Sequence, residues 1–204
     1  HYPRDQRSLY ISYDDVFRSD PDLADDIQEH PREMLEYFEE ALQLYDLPVD
    51  VSLSDAHVRI HDLPDNDVLD VAEVPRHKNI GRLLGIRGQV QKVSAVKPRI
   101  VEATFECQRC GTQTSIPQAG DQLQEPHECQ GCERQGPFRL DSSASMWTDH
   151  QFARVQQPPE RTKGGEGETI DVHLEDDIIQ EFDAGDRVTL TGVLDIEEPG
   201  GDQT

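Results

Sequence analysis

Lysine is the scarcest charged side chain in this 204-residue chain. It supplies 4 of the 19 cations and arginine the other 15, against 42 carboxylates, for a formal charge of -23. A surface poor in lysine and rich in carboxylates keeps its hydration where concentrated salt competes for water, so the composition points to a halophilic protein. At about 1 M salt the Debye length is about 3 Å. Long-range attraction to a polyanion is then weak, and close bidentate arginine contacts carry more of the binding. Aromatics make up 6% and hydrophobic residues 34% of the chain, with a mean hydropathy of -0.73. The apolar residues nevertheless fall in periodic runs, which argues for packed domains under a charged shell rather than disorder. No apolar run approaches the roughly 18–20 residues of a membrane span, and there is no signal peptide. The chain starts at His1 and ends in GGDQT, which reads as a piece of something longer.

Catalytic signatures are missing too. There is no phosphate-cradling GxxxxGK[ST] loop, no GxSxG elbow and no HExxH pair. The carboxylates form solvated faces without a visible acid/base pair, and His57, His61, His77, His150 and His173 are scattered without ligand spacing. No enzymatic activity is expected of this chain by itself.

One absence is local. Residues 1–70 hold 5 cations and 19 acids, and residues 161–204 hold 3 and 13, but residues 71–160 hold 11 and 10. Within that middle part, Val74 to Val101 carries seven cations and no acid at all. An acidic surface that spares one segment marks where a polyanion would land. Arg82, Arg87, Lys92, Lys97 and Arg99 would attract phosphate there, and nearby carboxylates would repel it.

The periodicity divides the chain. Residues 1–70 read mostly as helix. Asp20-Pro21-Asp22 is a helix start followed by Leu23, Ala24 and Ile27, and Pro31 suits a first turn ahead of Met34, Leu35, Phe38, Ala41, Leu42 and Tyr45. From about Leu83 the pattern turns to strands, with Gly85 and Gly88 as bend or bulge points. Ile100–Phe105, Phe138–Leu140, Gln151–Val155, Thr169–Leu174 and Arg187–Ile196 read as further strands. Such short strands with glycine-marked bends suggest a small barrel.

All four cysteines fall in one window, Cys107-Gln-Arg-Cys110 and Cys129-Gln-Gly-Cys132, with 18 residues between the pairs. That spacing lets two tight turns present four thiolates to one tetrahedral metal, and Gly111 and Gly131 relax the backbone at those turns. Four thiolates leave no open position, so the expected Zn2+ is structural. The weaker alternatives are two disulfides, a redox pair, or His127 replacing one ligand.

The stretches IGRLLGIRGQV, VSAVKPR and FECQRCG, followed by MWTDHQFARVQQPPERTKGGEGETIDVHLEDDI and AGDRVTLTGVL, occur in an order that resembles the N-terminal region of the minichromosome maintenance (MCM) replicative helicases. The resemblance is specific from about 60 to 194 and looser over DPDLADDIQEHP. It implies an α+β chain with a helical subdomain (1–70), an OB-fold barrel (71–106 and 138–204) and an inserted four-cysteine zinc-ribbon subdomain (107–137). It also implies hexameric rings around single- or double-stranded DNA, pairing of two rings through the zinc subdomain, and contact with other replication-fork proteins in the cytoplasm, on the nucleoid. Within this resemblance Lys97 and Arg99 lie on the DNA-contacting turn and Arg154 on a strand with another contact, while Arg87 and Lys92 belong to the acid-free lead-in. Gln157, Pro159, Glu160, Gly164 and Gly165 fall on the loop that communicates with an ATPase motor, where ATP and Mg2+ would bind. That motor is not in this sequence, and Glu197-Glu198-Pro199-Gly200-Gly201-Asp202 stands where the family's pore hairpin brings cations. The acidic character suggests a haloarchaeal member. Two other readings stand beside it: a free-standing, zinc-containing OB-fold protein that binds single-stranded DNA, and a zinc-ribbon adaptor with protein partners only.

Overall fold

The computed structural model describes residues 8–44, 56–118, 123–162 and 167–196. The chain divides into two compact units, one of residues 1–93, 153–172 and 182–204 and the other of residues 94–152 and 173–181.

The first unit opens with a short strand, β1 (Ser8–Ser12), and three helices, α1 (Tyr13–Ser19), α2 (Pro21–Glu29) and α3 (Pro31–Gln43). Each boundary has a local cause. The Asp20 carboxylate accepts a hydrogen bond from the Leu23 N–H at 3.1 Å, and Pro21 fills the first turn of α2, where no N–H is missed. Pro31 does the same for α3. Tyr45 lies outside the described residues. The helices cover β1 and its parallel partner β2 (His57–His61), a pair that the helical periodicity of residues 1–70 does not announce. Tyr13, Ala24, Ile27, Val58, Ile60, Leu63 and Leu83 form the buried core, with Leu23, Met34, Leu35, Phe38 and Leu42 packed against it.

The rest of this unit is β structure. The three-residue strand β3 (Val68–Asp70) runs parallel to β4 (Leu83–Val93). Past the second unit's strands, the C-terminal end of β8 (Met146–Gln156) and the strand β10 (Arg187–Val193) both lie antiparallel to β4. Val71, Val74, Leu84, Ile86 and Val155 are buried between them, with Ile170 and Val172 against the cluster.

Gly85 and Gly88 are not the bulges expected of them. A Cβ on Gly85 would lie 2.9 Å from Val68 Cγ2, and one on Gly88 would lie 2.3 Å from Val155 Cγ1, so both glycines serve close approach of neighbouring strands. The irregularity falls at Gln91. Val90 stands opposite Val155 and Lys92 opposite Arg154, two steps on β4 against one on β8.

The second unit is built on β5 (Lys97–Cys107), which pairs antiparallel with β6 (Gln113–Pro117), β7 (Phe138–Leu140) and the N-terminal end of β8. The strand β9 (Thr169–Glu175) pairs with β8. No helix among the described residues is long and apolar enough to cross a membrane.

Candidate nucleic-acid interface and thiolate centre

The four cysteines converge within the second unit. Their sulfurs all lie within 4.8 Å of one another, with Cys107 and Cys132 3.8 Å apart and Cys110 and Cys129 3.5 Å apart. These separations are far too long for a disulfide and close to the ~3.8 Å between ligands of a tetrahedral ion with metal–sulfur bonds of about 2.3 Å. The first pair sits where β5 runs out into a turn, and the second on a turn of its own. Gly111 takes a φ of +74°, and a Cβ on Gly131 would meet Thr112 Oγ1 at 2.2 Å, so both positions require glycine.

The turns also prepare the sulfurs electrostatically. The Thr112 hydroxyl lies 3.3 Å from Cys110 Sγ. Donating to the thiolate together with the Thr112 N–H, it holds the Cys110 pKa down to about 6. The backbone N–H groups of Arg109 and Cys110 lower the Cys107 thiol. Burial, and then the hydrogen bonds with Cys110, Cys129 and Cys107, push Cys132 up to about 12. The Gly131 N–H donates to Cys129 Sγ at 3.3 Å. Four soft donors with supporting N–H groups fit a metal ion such as zinc. His127 is not part of the cluster.

The cations expected to meet phosphate fall in both units. In the first, Ala153 and Val155 of β8 are fully buried, so Arg154 between them points outward. Lys92 is its direct cross-strand partner, and such partners share a face. Were Gln91 a regular paired residue, strand alternation would turn Lys92 to the side of buried Val90; the bulge absorbs that step and turns Lys92 out beside Arg154. Ahead of the bulge, Arg87 and Gln89 alternate outward, and Gln89 stands opposite Gln156. In the second unit Lys97 stands opposite His150 and Arg99 opposite Thr148, again on one face of the sheet.

These five cations differ in what holds them. Arg87, Lys92 and Lys97 make no ion pair among the described residues. Arg154 is gripped in a fork by Asp171, Nε donating to Oδ1 at 2.6 Å and Nη2 to Oδ2 at 2.8 Å, a contact that raises the arginine's pKa. Arg99 Nη1 donates to Glu175 Oε1 at 2.8 Å, while its Nε–H is buried without a partner. The segment free of acids in sequence is therefore not free of them in space. β9 alternates, with Asp171, His173 and Glu175 on one side and Ile170, Val172 and Leu174 on the other.

Sequence inspection missed both of these carboxylates. It also missed the histidine pair, in which His150 Nε2 lies 2.9 Å from His173 Nδ1. The period-two pattern of residues 169–175 was the available signal.

The loop after β8 is tied down on its described part. The Gln157 N–H donates to the Glu168 carbonyl at 2.9 Å, and Pro159–Arg161 forms a single 3-10 turn. Arg187 Nη1 meets Glu160 Oε1 at 2.6 Å, and Arg161 pairs with Asp70. The Glu160 carboxyl is held below its usual range, first by its own backbone N–H and then by Arg187. Gly164 and Gly165, and the segment from Glu197 to Asp202, lie outside the described residues.

Comparison with known proteins gives one answer. The family profile described as the MCM OB domain matches residues 74–198, and that of the MCM N-terminal domain matches residues 1–62. The chain is 31% identical over 203 residues to the minichromosome maintenance protein MCM of Saccharolobus solfataricus, covering 95% of this chain and 29% of that protein. It is 31% identical over 197 residues to the DNA replication licensing factor MCM4 of Oryza sativa subsp. japonica, covering 91% of this chain and 22% of the relative. The crystal structure of the N-terminal domain of an archaeal MCM superposes with a TM-score of 0.77 at 29% identity, covering 99% of this chain and 81% of that one. The chain thus spans less than a third of the length of these two curated relatives.

Proposed function

The chain belongs to the minichromosome maintenance family, of which it carries the N-terminal and OB domains, and from that premise we propose that it is the non-catalytic, DNA-binding and ring-forming region of a replicative helicase that acts in initiation and unwinding. The observation that carries the proposal is the bulge at Gln91, which turns Lys92 outward beside Arg154. A strand that reverses its alternation to expose a lysine next to an arginine, in a chain of charge -23, is built for a polyanion.

Arg87, Lys92 and Arg154 in the first unit, and Lys97 and Arg99 in the second, contact the sugar–phosphate chain of single- or double-stranded DNA. The four thiolates hold one structural Zn2+. Residues 1–70 act as the helical subdomain, 71–106 and 138–204 as the OB barrel, and 107–137 as the zinc-bearing insert through which two rings meet. Gln157, Pro159, Glu160, Gly164 and Gly165 belong to the loop that signals to an ATPase motor, the place of ATP and Mg2+ in the parent helicase. Further copies in a hexamer and other replication-fork proteins are the partners, in the cytoplasm on the nucleoid. The lysine-poor acidic composition supports a haloarchaeal source.

Fluorescence anisotropy with a labelled oligothymidylate tests the interface. Replacing Lys97 and Arg99 together with Ala should weaken binding and flatten its dependence on salt, with metal content unchanged. Unaltered affinity would remove these residues from the interface. Light scattering at high salt should find assemblies near six chains; a strict monomer that binds single strands tightly would instead favour the free-standing binding protein.

A further inference from the structure

The cations of the proposed interface come in two kinds, and the difference predicts how binding answers to salt. Arg87, Lys92 and Lys97 are open, whereas Arg154 and Arg99 are already occupied by Asp171 and Glu175. An open cation that meets a phosphate releases a counterion from the DNA into bulk solution, so its contribution falls as salt rises, by about 0.7 in the log–log slope per contact on a single strand. An occupied arginine behaves differently. Phosphate must take the guanidinium from the carboxylate, and the freed carboxylate then gathers a cation of its own. The counterion is transferred rather than released, and the net salt dependence of that contact approaches zero.

Three observations set these two carboxylates apart from incidental surface partners. They stand at alternate positions of β9, on the side opposite Ile170, Val172 and buried Leu174, so the strand's apolar packing keeps them turned toward the arginines. The Arg154–Asp171 contact is a two-point fork, the geometry a phosphate would reproduce. Arg99, in turn, is under-satisfied, because its Nε–H is buried without a partner and its carboxylate complex is incomplete.

We infer that Asp171 and Glu175 set the affinity of this chain for DNA, holding Arg154 and Arg99 as carboxylate complexes that phosphate exchanges for, so that binding is weaker in dilute salt and less salt-sensitive than the number of cations implies. This rests on the DNA-binding function proposed above and adds to it residues that themselves repel the ligand.

The experiment is a potassium chloride series of anisotropy titrations with the full chain and a fluorescein-labelled oligothymidylate. Asp171→Asn and Glu175→Gln should each bind about two- to fivefold tighter in dilute salt and steepen the slope by about 0.7. Lys97→Ala should flatten the slope by a similar step, whereas Arg154→Ala should weaken binding with little change in slope. Asp171→Glu should restore wild-type behaviour. Asp149→Asn is the control for a general loss of negative charge, because Asp149 lies on β8 with its side chain on the face away from Lys97 and Arg99 and makes no ion pair among the described residues.

Slopes of Asp171→Asn and Glu175→Gln equal to the wild type overturn the inference, as does weaker binding by both, or an Asp149→Asn effect as large as theirs. A wild-type chain that binds no oligonucleotide defeats the DNA-binding function and the inference together; a wild type that binds, with unchanged slopes in both variants, defeats the inference alone. The two substitutions are isosteric and lie in different units. If Asp171→Asn loses its circular-dichroism spectrum, Glu175→Gln carries the test by itself.

Discussion

Both hydrophobic clusters, the one under the three helices and the one between Val71 and Val155, lie within the first compact unit. The second unit buries Thr104, Thr114, Gln118 and Gln151 alongside Ala103, Phe105, Cys107, Cys129 and Leu174. Its interior is held by directed bonds. Thr104 Oγ1 lies 2.8 Å from Ser115 Oγ and donates to the Ala144 carbonyl at 3.0 Å, and Gln118 bridges the carbonyls of Ile116 and Gln124. Hydrogen bonds of this kind each add only about 1 kcal/mol net, because the unfolded chain bonds to water instead. A unit with so little hydrocarbon needs another source of stability, and the metal ion proposed for the four thiolates would supply it. The first unit has no such need. The contrast teaches that the two units of one chain answer to different chemical conditions.

Metal removal breaks the comparison hardest. Structural zinc binding in small peptides contributes about 10–16 kcal/mol near neutral pH. Chelation, or Cys129→Ser, should therefore unfold the second unit while the first persists. Hydrogen exchange should show lost protection along β6 and β7 with protection retained in α2 and the N-terminal end of β4, and metal analysis should fall from one ion per chain to none. Equal loss in both units would mean that their stabilities are not separate.

A smaller effect sharpens the comparison from the other side. Gly88→Ala would place a Cβ 2.3 Å from Val155 and 2.9 Å from the Gln156 carbonyl oxygen. Such overpacking costs about 1–3 kcal/mol, and it should appear in the denaturation midpoint of the first unit with metal content unchanged.

The smallest expected effect is electrostatic. Asp141 accepts from the Ser143 hydroxyl and N–H and from the Ala144 N–H, and these bonds hold its pKa below the usual carboxylate value. A folded-state pKa below the unfolded one stabilises above the unfolded value, near pH 3.9, and that contribution is lost as the pH falls through the folded value. Asp141→Asn should lower the second unit's stability slightly at neutral pH. The gap to the wild type should close in acid, as read from paired denaturation curves. A gap that persists below the folded pKa would assign the effect to lost packing.

What was legible in the sequence follows from what is local. The cysteine set was readable because a thiolate pair two residues apart needs only its own turn. The caps at Asp20 and Pro31 were readable for the same reason, β4 and β5 announced themselves by β-branched and apolar runs, and β7 by the alternation of Phe138, Arg139 and Leu140. The parallel pair β1 and β2 and the strand β3 were not, because each is at most five residues long and paired with a distant segment. β6, reading QTSIP, carries too little apolar alternation to be seen inside the cysteine-bearing segment. For the interface, the cations could be named from charge alone, but Asp171 and Glu175 could not be assigned to Arg154 and Arg99 without knowing that β9 folds back along β8. The direction of Lys92 depends on its partner strand's register, which no single-strand pattern contains.

That register gives Gln91 an unusual status. Its own side chain is exposed and enters none of the contacts that shape the interface, so the chain should tolerate almost any amino acid there. Losing the bulge is another matter: were Gln91 paired as a regular step, Lys92 would swing toward the buried side and Val93 toward water, whereas deleting Gln91 would leave Lys92 opposite Arg154 by plain alternation. Gln91 is a silent beat rather than a chosen letter, and natural variation at this point should rewrite the residue freely or drop it, with Lys92 kept on its outward face either way.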